Sequence, residues 1–161
     1  MIDVREQILL RLVAILGGVS GLLNVYRDRD VVPPIDKETL SPNLPAAWVL
    51  QGGERKRGAS LGRYVTGEMP PQLMTMTPQI WIVLMPTSTV ANANQGALLS
   101  SYRVEVINAV IHDVQLITLI GTNGEIEFTD CVTDMQSGGD MEGQMHLGFA
   151  FTYVLNPSDL S

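Results

Sequence analysis

The sequence has few of the residues from which most catalytic and metal sites are built. Its 161 residues include a single cysteine, Cys131, and two histidines, His112 and His146. A lone cysteine excludes an intrachain disulfide, and with no Cys-x-x-Cys or His-x-x-x-His spacing a structural zinc site has too few ligands. We therefore expect no metal and no cofactor, and we expect all three side chains to be structural.

Long apolar runs and charged residues are also scarce. Charged residues make up 17% of the chain and hydrophobic residues 45%, whereas roughly 25% charge is typical of soluble domains. No apolar run approaches the roughly 20 residues of a membrane span, and charges interrupt the first turns of the chain, which argues against a signal peptide. We expect a soluble protein made in a cytoplasm, with a neutral polar surface suited to subunit contacts.

Positive charge is missing from the last third of the chain. Residues 1–103 hold all ten Lys and Arg against eight acids, and residues 104–161 hold nine acids and no base. One slightly basic part and one strongly acidic part predict that copies of the chain attract each other head to tail.

Four of the ten basic residues fall in the Gly-rich stretch 52–68, which we expect to be a flexible basic loop: Arg55, Lys56, Arg57 and Arg63. Three interpretations are open, namely a solvated loop, a contact with an acidic protein surface, or nucleic-acid binding. Only one aromatic residue, Tyr64, lies beside these charges to stack on a base. The sequence pI near 4.6 also opposes phosphate affinity. The protein contact is therefore favoured.

Hydrophobic periodicity predicts two main helices. The first starts at Asp3 and ends between about residues 17 and 24, with Glu6 close to a capping-box position. The second spans residues 94–113 and has an apolar stripe of Leu98, Leu99, Tyr102, Val106, Ile107 and Val110.

Period-two alternation predicts the strands. Residues 72–86 form two alternating pieces separated by Pro78, which marks a bulge, bend or edge position. The end of the chain predicts a hairpin with its turn at 136–140, and Met145, Leu147, Phe149, Phe151, Tyr153 and Leu155 share one face of its second strand. Together these elements predict one α+β domain over residues 1–161, with two main helices packed on a mostly antiparallel sheet.

The first strand of this hairpin carries four carboxylates. Strict alternation puts Glu125 and Glu127 on one side and Asp130 and Asp134 on the other. Paired carboxylates suit acid–base chemistry or calcium, but on an exposed strand they are more typical of solvent or a subunit contact. No catalytic constellation accompanies them, and we expect the protein not to be an enzyme.

The order of elements resembles that of the tail terminator (tail completion) proteins of long-tailed bacteriophages. The resemblance rests on the N-terminal helix and the string VYRDRDVVPP. It also rests on the closing pair of strands, with its acidic first strand, Gly-rich turn, Phe-x-Phe-x-Tyr string and following Asn-Pro. It implies a long loop or β-hairpin arm after the second strand.

The resemblance implies a mechanical function. Such a protein forms a ring, usually of six copies, that caps the head-proximal end of the tail tube, stops its polymerisation and joins the head connector. Its partners would be further copies, the tail tube protein and head connector proteins, with DNA only as passing cargo, and it would reside in the virion. Arg55, Lys56, Arg57 and Arg63 would reach Glu125, Glu127, Asp130 or Asp134 of a neighbouring copy.

Three alternatives remain. The chain is a head–tail adaptor or tail tube subunit, a small enzyme or ligand-binding domain, or a small cytoplasmic nucleic-acid-binding module.

Overall fold

The structure, a computed structural model, describes residues 3–27, 45–59, 61–62, 67, 69–84, 95–135 and 143–156. The predicted hairpin turn at residues 136–140 lies outside these ranges. Within the described part, no helix is both long and apolar enough to cross a membrane.

Helix α1 spans Val4–Gly17 and is capped by Asp3, whose carboxylate accepts a hydrogen bond from the Arg5 N–H. The predicted start and end of this helix are confirmed. Glu6 does not close a capping box. Both of its oxygens accept hydrogen bonds from the Arg27 guanidinium at 2.5 Å, which lowers the pKa of the Glu6 carboxyl below its ordinary value.

The described residues form two more helices on the same side, α2 at Gln95–Ile111 and α3 at Val114–Ile120. The predicted stripe of α2 is buried at Leu99, Tyr102, Val106 and Val110. Leu98, which we expected in the stripe, is 44% exposed because it lies at the margin of the helix face that meets the sheet. Helix α3 is separate from α2 because Asp113 lies between them as the N-cap of α3. Its carboxylate accepts a hydrogen bond from the Leu116 N–H at 2.8 Å.

Seven strands form one mostly antiparallel sheet, which confirms the predicted α+β class. The strands are β1 (Asn24–Arg27), β2 (Ala46–Leu50), β3 (Glu54–Lys56), β4 (Gln72–Met76), β5 (Gln79–Val83), β6 (Glu125–Met135) and β7 (Gly143–Leu155). Only the β1–β2 pair is parallel among them.

The seven strands occupy five adjacent rows, because β4 and β5 share one row and β2 and β3 share another. Both β4 and β5 pair with β7 in one register, from Gln72 opposite Leu155 to Val83 opposite Gln144. The row continues through Pro78, whose carbonyl accepts a hydrogen bond from the Phe149 N–H at 3.2 Å. Pro78 separates β4 from β5 as predicted from the sequence, but the row is central and its register on β7 is unbroken, so Pro78 marks neither an edge nor a bulge.

The helices cover one face of this sheet. The predicted stripe on β7 is buried there at Met145, Leu147, Phe149, Phe151 and Tyr153, and it packs with the apolar faces of all three helices. The other face of the sheet, which we call the open face, packs against none of the described helices. The small residues Gly148 and Ala150 lie on that face, and the space beside Gly148 is filled by the neighbouring side chains of Asp130 and Thr129.

A row of rings crosses the open face. Tyr26, Trp48, Trp81 and His146 occupy successive register positions on β1, β2, β5 and β7. Tyr26 packs on Trp48 with ring centroids 5.2 Å apart, and Trp81 meets His146 edge-on at 4.7 Å. This cluster is separate from the main core and stabilises the end of the sheet that carries β1.

Replacing Phe149 by Ala is expected to destabilise the fold by about 3–5 kcal/mol, because the ring is fully buried between β6 and the helices and leaves a cavity there. Chemical denaturation measures the change. The matched control is Val132→Ala on the neighbouring strand, which is 49% exposed and should change stability by no more than about 0.5 kcal/mol. Equal effects of the two substitutions would contradict this assignment of the core.

The Arg11–Asp113 pair is expected to make stability depend on pH. Arg11 donates to both oxygens of Asp113, with Nε–Oδ1 at 3.1 Å and Nη2–Oδ2 at 2.6 Å. These hydrogen bonds lower the pKa of Asp113 below its ordinary value of 3.8, against the opposing effect of burial. The pair therefore stabilises the fold above about pH 4 and loses its effect as the pH falls through the lowered pKa.

The variant Asp113→Asn keeps an N-cap acceptor but removes the charge. Its deficit in unfolding free energy relative to the wild type should be largest near neutral pH and shrink in acid, as followed by denaturation at a series of pH values. Arg11→Gln should show the same pH dependence. A deficit that stays constant into acid would refute the ionic origin.

Candidate functional site

The basic segment is partly a strand. We predicted a flexible loop over residues 52–68, but Glu54–Lys56 form β3, paired antiparallel with β4. The hairpin extends past β3, since the Arg57 N–H donates to the Leu73 carbonyl at 2.7 Å and the Leu61 N–H to the Pro71 carbonyl at 2.8 Å. The glycines and charges of residues 52–68 are typical of a loop. Glu54–Lys56 nevertheless form a strand because β4 provides their hydrogen-bonding partners. Arg63 lies outside the described residues.

A glycine turn sets the start of β3. Gly52 has a φ of +65°, and a Cβ on it would lie 1.8 Å from the Thr77 carbonyl oxygen. The adjacent Gly53 carbonyl accepts a hydrogen bond from the Thr77 N–H at 2.9 Å. Only glycine fits this contact. The contact attaches β3, which we call the basic strand, to Thr77 between β4 and β5.

The helix side of β3 is fixed by a polar cluster that the sequence reasoning missed. The buried Tyr153 hydroxyl donates to the Glu54 carboxylate, and Arg5 of α1 contacts the same carboxylate at 3.4 Å. Burial, followed by the bond to Glu54, raises the pKa of Tyr153 above its ordinary value. A tyrosine at the end of a buried stripe needs a hydrogen-bond partner. This requirement was the signal in the sequence from which a polar contact of Tyr153 could have been predicted.

The acidic residues lie along β6, which pairs with β7 and with no other described strand. We expected Glu125 and Glu127 on one side and Asp130 and Asp134 on the other, and this was wrong. A bulge between Phe128 and Asp130 shifts the register by one residue, so that Asp130 pairs opposite Gly148. Glu125, Glu127 and Asp130 therefore share the open face, and we call these three residues the acidic edge.

The remaining positions of β6 follow from the same bulge. Asp134 occupies the register position opposite Gln144. Cys131 lies opposite Leu147 and is half-buried against the main core, which agrees with the structural role that we predicted.

Two of the predicted interface residues already contact each other within one chain. Arg57 Nη1 lies 3.4 Å from Glu125 Oε2 and 3.2 Å from the Thr152 hydroxyl. Both charged side chains are more than half exposed. Such a pair contributes less than about 1 kcal/mol, so it is readily exchanged for another partner.

Arg55 lies beside a cavity of about 360 Å³ on the β3–β4 hairpin, lined by Gly53, Glu54, Arg55, Thr75 and Thr77. Its side chain is exposed. Lys56 is also exposed, at a register position on the helix side of the same strand.

The two histidines are placed as expected. His112 follows α2, and its Nδ1 lies 3.0 Å from the Asn108 carbonyl. His146 is on the open face, opposite in register to Trp81. Within the described ranges, no three His, Cys, Asp or Glu side chains are grouped closely enough to hold a metal ion.

Comparison with known proteins gives no relative: no protein-family profile matches the chain, and no curated sequence is significantly similar to it. The functional interpretation therefore rests on the basic strand and the acidic edge.

Replacing Gly52 by Ala is expected to detach β3, because the new methyl group meets the Thr77 carbonyl. Gly58→Ala is the matched control, since Gly58 also has a positive φ, of 74°, but no neighbouring atom within 4 Å of a new Cβ. The control should cost only the roughly 1–2 kcal/mol of a left-handed backbone. Hydrogen exchange at the Arg57 and Thr77 amides should accelerate in Gly52→Ala alone, and equal exchange in both variants would contradict the assigned role.

Proposed function

We propose that this chain is a structural subunit that assembles with copies of itself into a ring, capping the head-proximal end of a phage tail tube as a tail terminator. The observation that carries the proposal is the charge asymmetry of the sheet. Arg55 and Arg57 lie on or next to β3, on one side of the sheet, and Glu125, Glu127 and Asp130 lie on β6, on the other. The proposed ring has six copies, as the family resemblance implies.

The charge asymmetry favours a head-to-tail contact. Two β6 strands brought together would place carboxylates against carboxylates, which like-charge repulsion opposes. A basic strand meeting an acidic edge is attractive, and it uses a different patch on each copy. Repeated contacts of this kind close into a ring when the rotation between copies permits it.

The order of elements supports the same proposal. A helix, a short strand, a strand with an extended hairpin, further helices and a long closing pair of strands follow one another along the chain. This is the order on which the resemblance to tail terminators rests. A tail tube subunit would use the same two edges, and the two roles differ in whether polymerisation stops.

Nucleic-acid binding has weaker support. Arg57 already contacts Glu125, the carboxylate of Glu54 lies on the same strand as Arg55, and the chain carries a net charge of −7. These charges oppose phosphate binding. In the proposed ring, DNA would pass as cargo without adhering.

Tail length tests the proposed function. Particles assembled without this chain should carry overlong tubes that fail to join heads, and supplying the chain should restore normal length and joining, as seen by electron microscopy. Tails of normal length on heads in its absence would refute a terminator role. Shortened or absent tubes would indicate a tube subunit instead.

A further inference from the structure

Most charged groups near the basic strand and the acidic edge have partners within the chain. Arg57 contacts Glu125, and Asp130 accepts a hydrogen bond from the Thr129 hydroxyl at 2.8 Å. Two exposed side chains are exceptions. Arg55 and Glu127 make no hydrogen bond or ion pair in the described part of the chain. Among the described residues, Arg55 and Glu127 are thus a cation and an anion without a partner on the same face of the sheet.

The surroundings of Arg55 suit a carboxylate. The cavity of about 360 Å³ beside it is lined by the hydroxyl-bearing residues Thr75 and Thr77 and by the bare backbone of Gly53. Glu54 also lines this cavity, but its carboxylate is bound by Tyr153 and Arg5. Arg55 lines this cavity, and its guanidinium, which carries five N–H donors, makes no hydrogen bond or ion pair with a described residue.

We infer that Arg55 and this cavity receive the Glu127 carboxylate of a second copy of the chain. The inference rests on the proposed self-assembly and narrows its contact to one pair. Bidentate pairing with arginine gives a carboxylate a defined position as well as attraction. Glu127 suits this role because it is exposed on β6, the outermost described strand on its side of the sheet.

Pairing within one copy is the competing arrangement. Along the sheet, β3 and β6 are separated by β4 and β7, so Arg55 and Glu127 are three strand spacings apart, or about 14 Å. Arg57 spans the same three spacings to reach Glu125. The decisive experiment must therefore separate pairing within a copy from pairing between copies.

Two opposite charge reversals provide that separation. Arg55→Glu alone sets carboxylate against carboxylate in every contact, and Glu127→Arg alone sets guanidinium against guanidinium. Each should weaken self-association of the full chain by on the order of tenfold or more. In an equal mixture, alternating copies have every contact restored, so association should recover. An alternating ring needs an even number of copies, as in the proposed six.

Sedimentation velocity and native mass spectrometry of the purified full chain measure association over a wide range of concentrations. Lys56→Glu is the matched control: the same charge change on the same strand, at a register position on the helix side. It should leave association unchanged.

Four outcomes would overturn the inference. Recovery only when both reversals are in one chain, with no rescue by mixing, would show pairing within a copy. Unimpaired association of Arg55→Glu would exclude the contact while leaving ring assembly and the terminator role intact. A wild-type chain that stays monomeric at every concentration would exclude self-association of the purified chain through this contact. The measurement of tail length would then test the proposed function independently. Association of the basic strand with duplex DNA in place of a second copy, weakening steeply with salt, would also overturn it.

Discussion

The fold depends on the burial of one face of β7. This strand spans Gly143–Leu155 and pairs along one side with β6 and along the other with both β4 and β5. Its large alternate side chains face the helices, while the intervening positions hold Gly148, Ala150 and Thr152. Because side chains alternate with a period of two, a slip of one residue would exchange the two sets. The registers of β6, β4 and β5 are therefore all set against this one strand.

Helix α1 forms ion pairs with three other elements of the structure. Arg5 of α1 contacts Glu54 on β3, Glu6 is bound by Arg27 on β1, and Arg11 binds Asp113 at the start of α3. Each pair joins α1 to a different element. The position of the basic strand is thus linked to the helical layer, and not only to its partner strand in the sheet.

The sequence was sufficient for the elements whose pattern is long and regular. The alternation of β7 and the periodicity of α1 predicted both elements and their buried faces, since each averages over many residues. Short elements were harder to predict. The three residues of β3 have no pattern of their own, and they form a strand because β4 lies alongside. The composition of Glu54–Lys56 does not indicate that partner strand.

The acidic residues show a second limit. Counting by twos along β6 is correct as far as Phe128 and wrong beyond it, because one extra residue at the bulge reverses the facing of all later positions. No glycine or proline marks the bulge in the sequence. The contact of Arg57 with Glu125 could not be predicted either, since it joins residues on strands whose adjacency only the sheet order defines.

Two interruptions of the sheet face each other. Residues 51–53 separate β2 from β3, and Thr77 and Pro78 separate β4 from β5 at the same level. The sheet thus has a crease across two of its rows, while β7 and β6 run past it without a gap in the chain. The hairpin that carries the basic strand is thus joined to the part of the sheet with Trp48 and Trp81 by the short segments 51–53 and 77–78 and by the continuous strands β6 and β7.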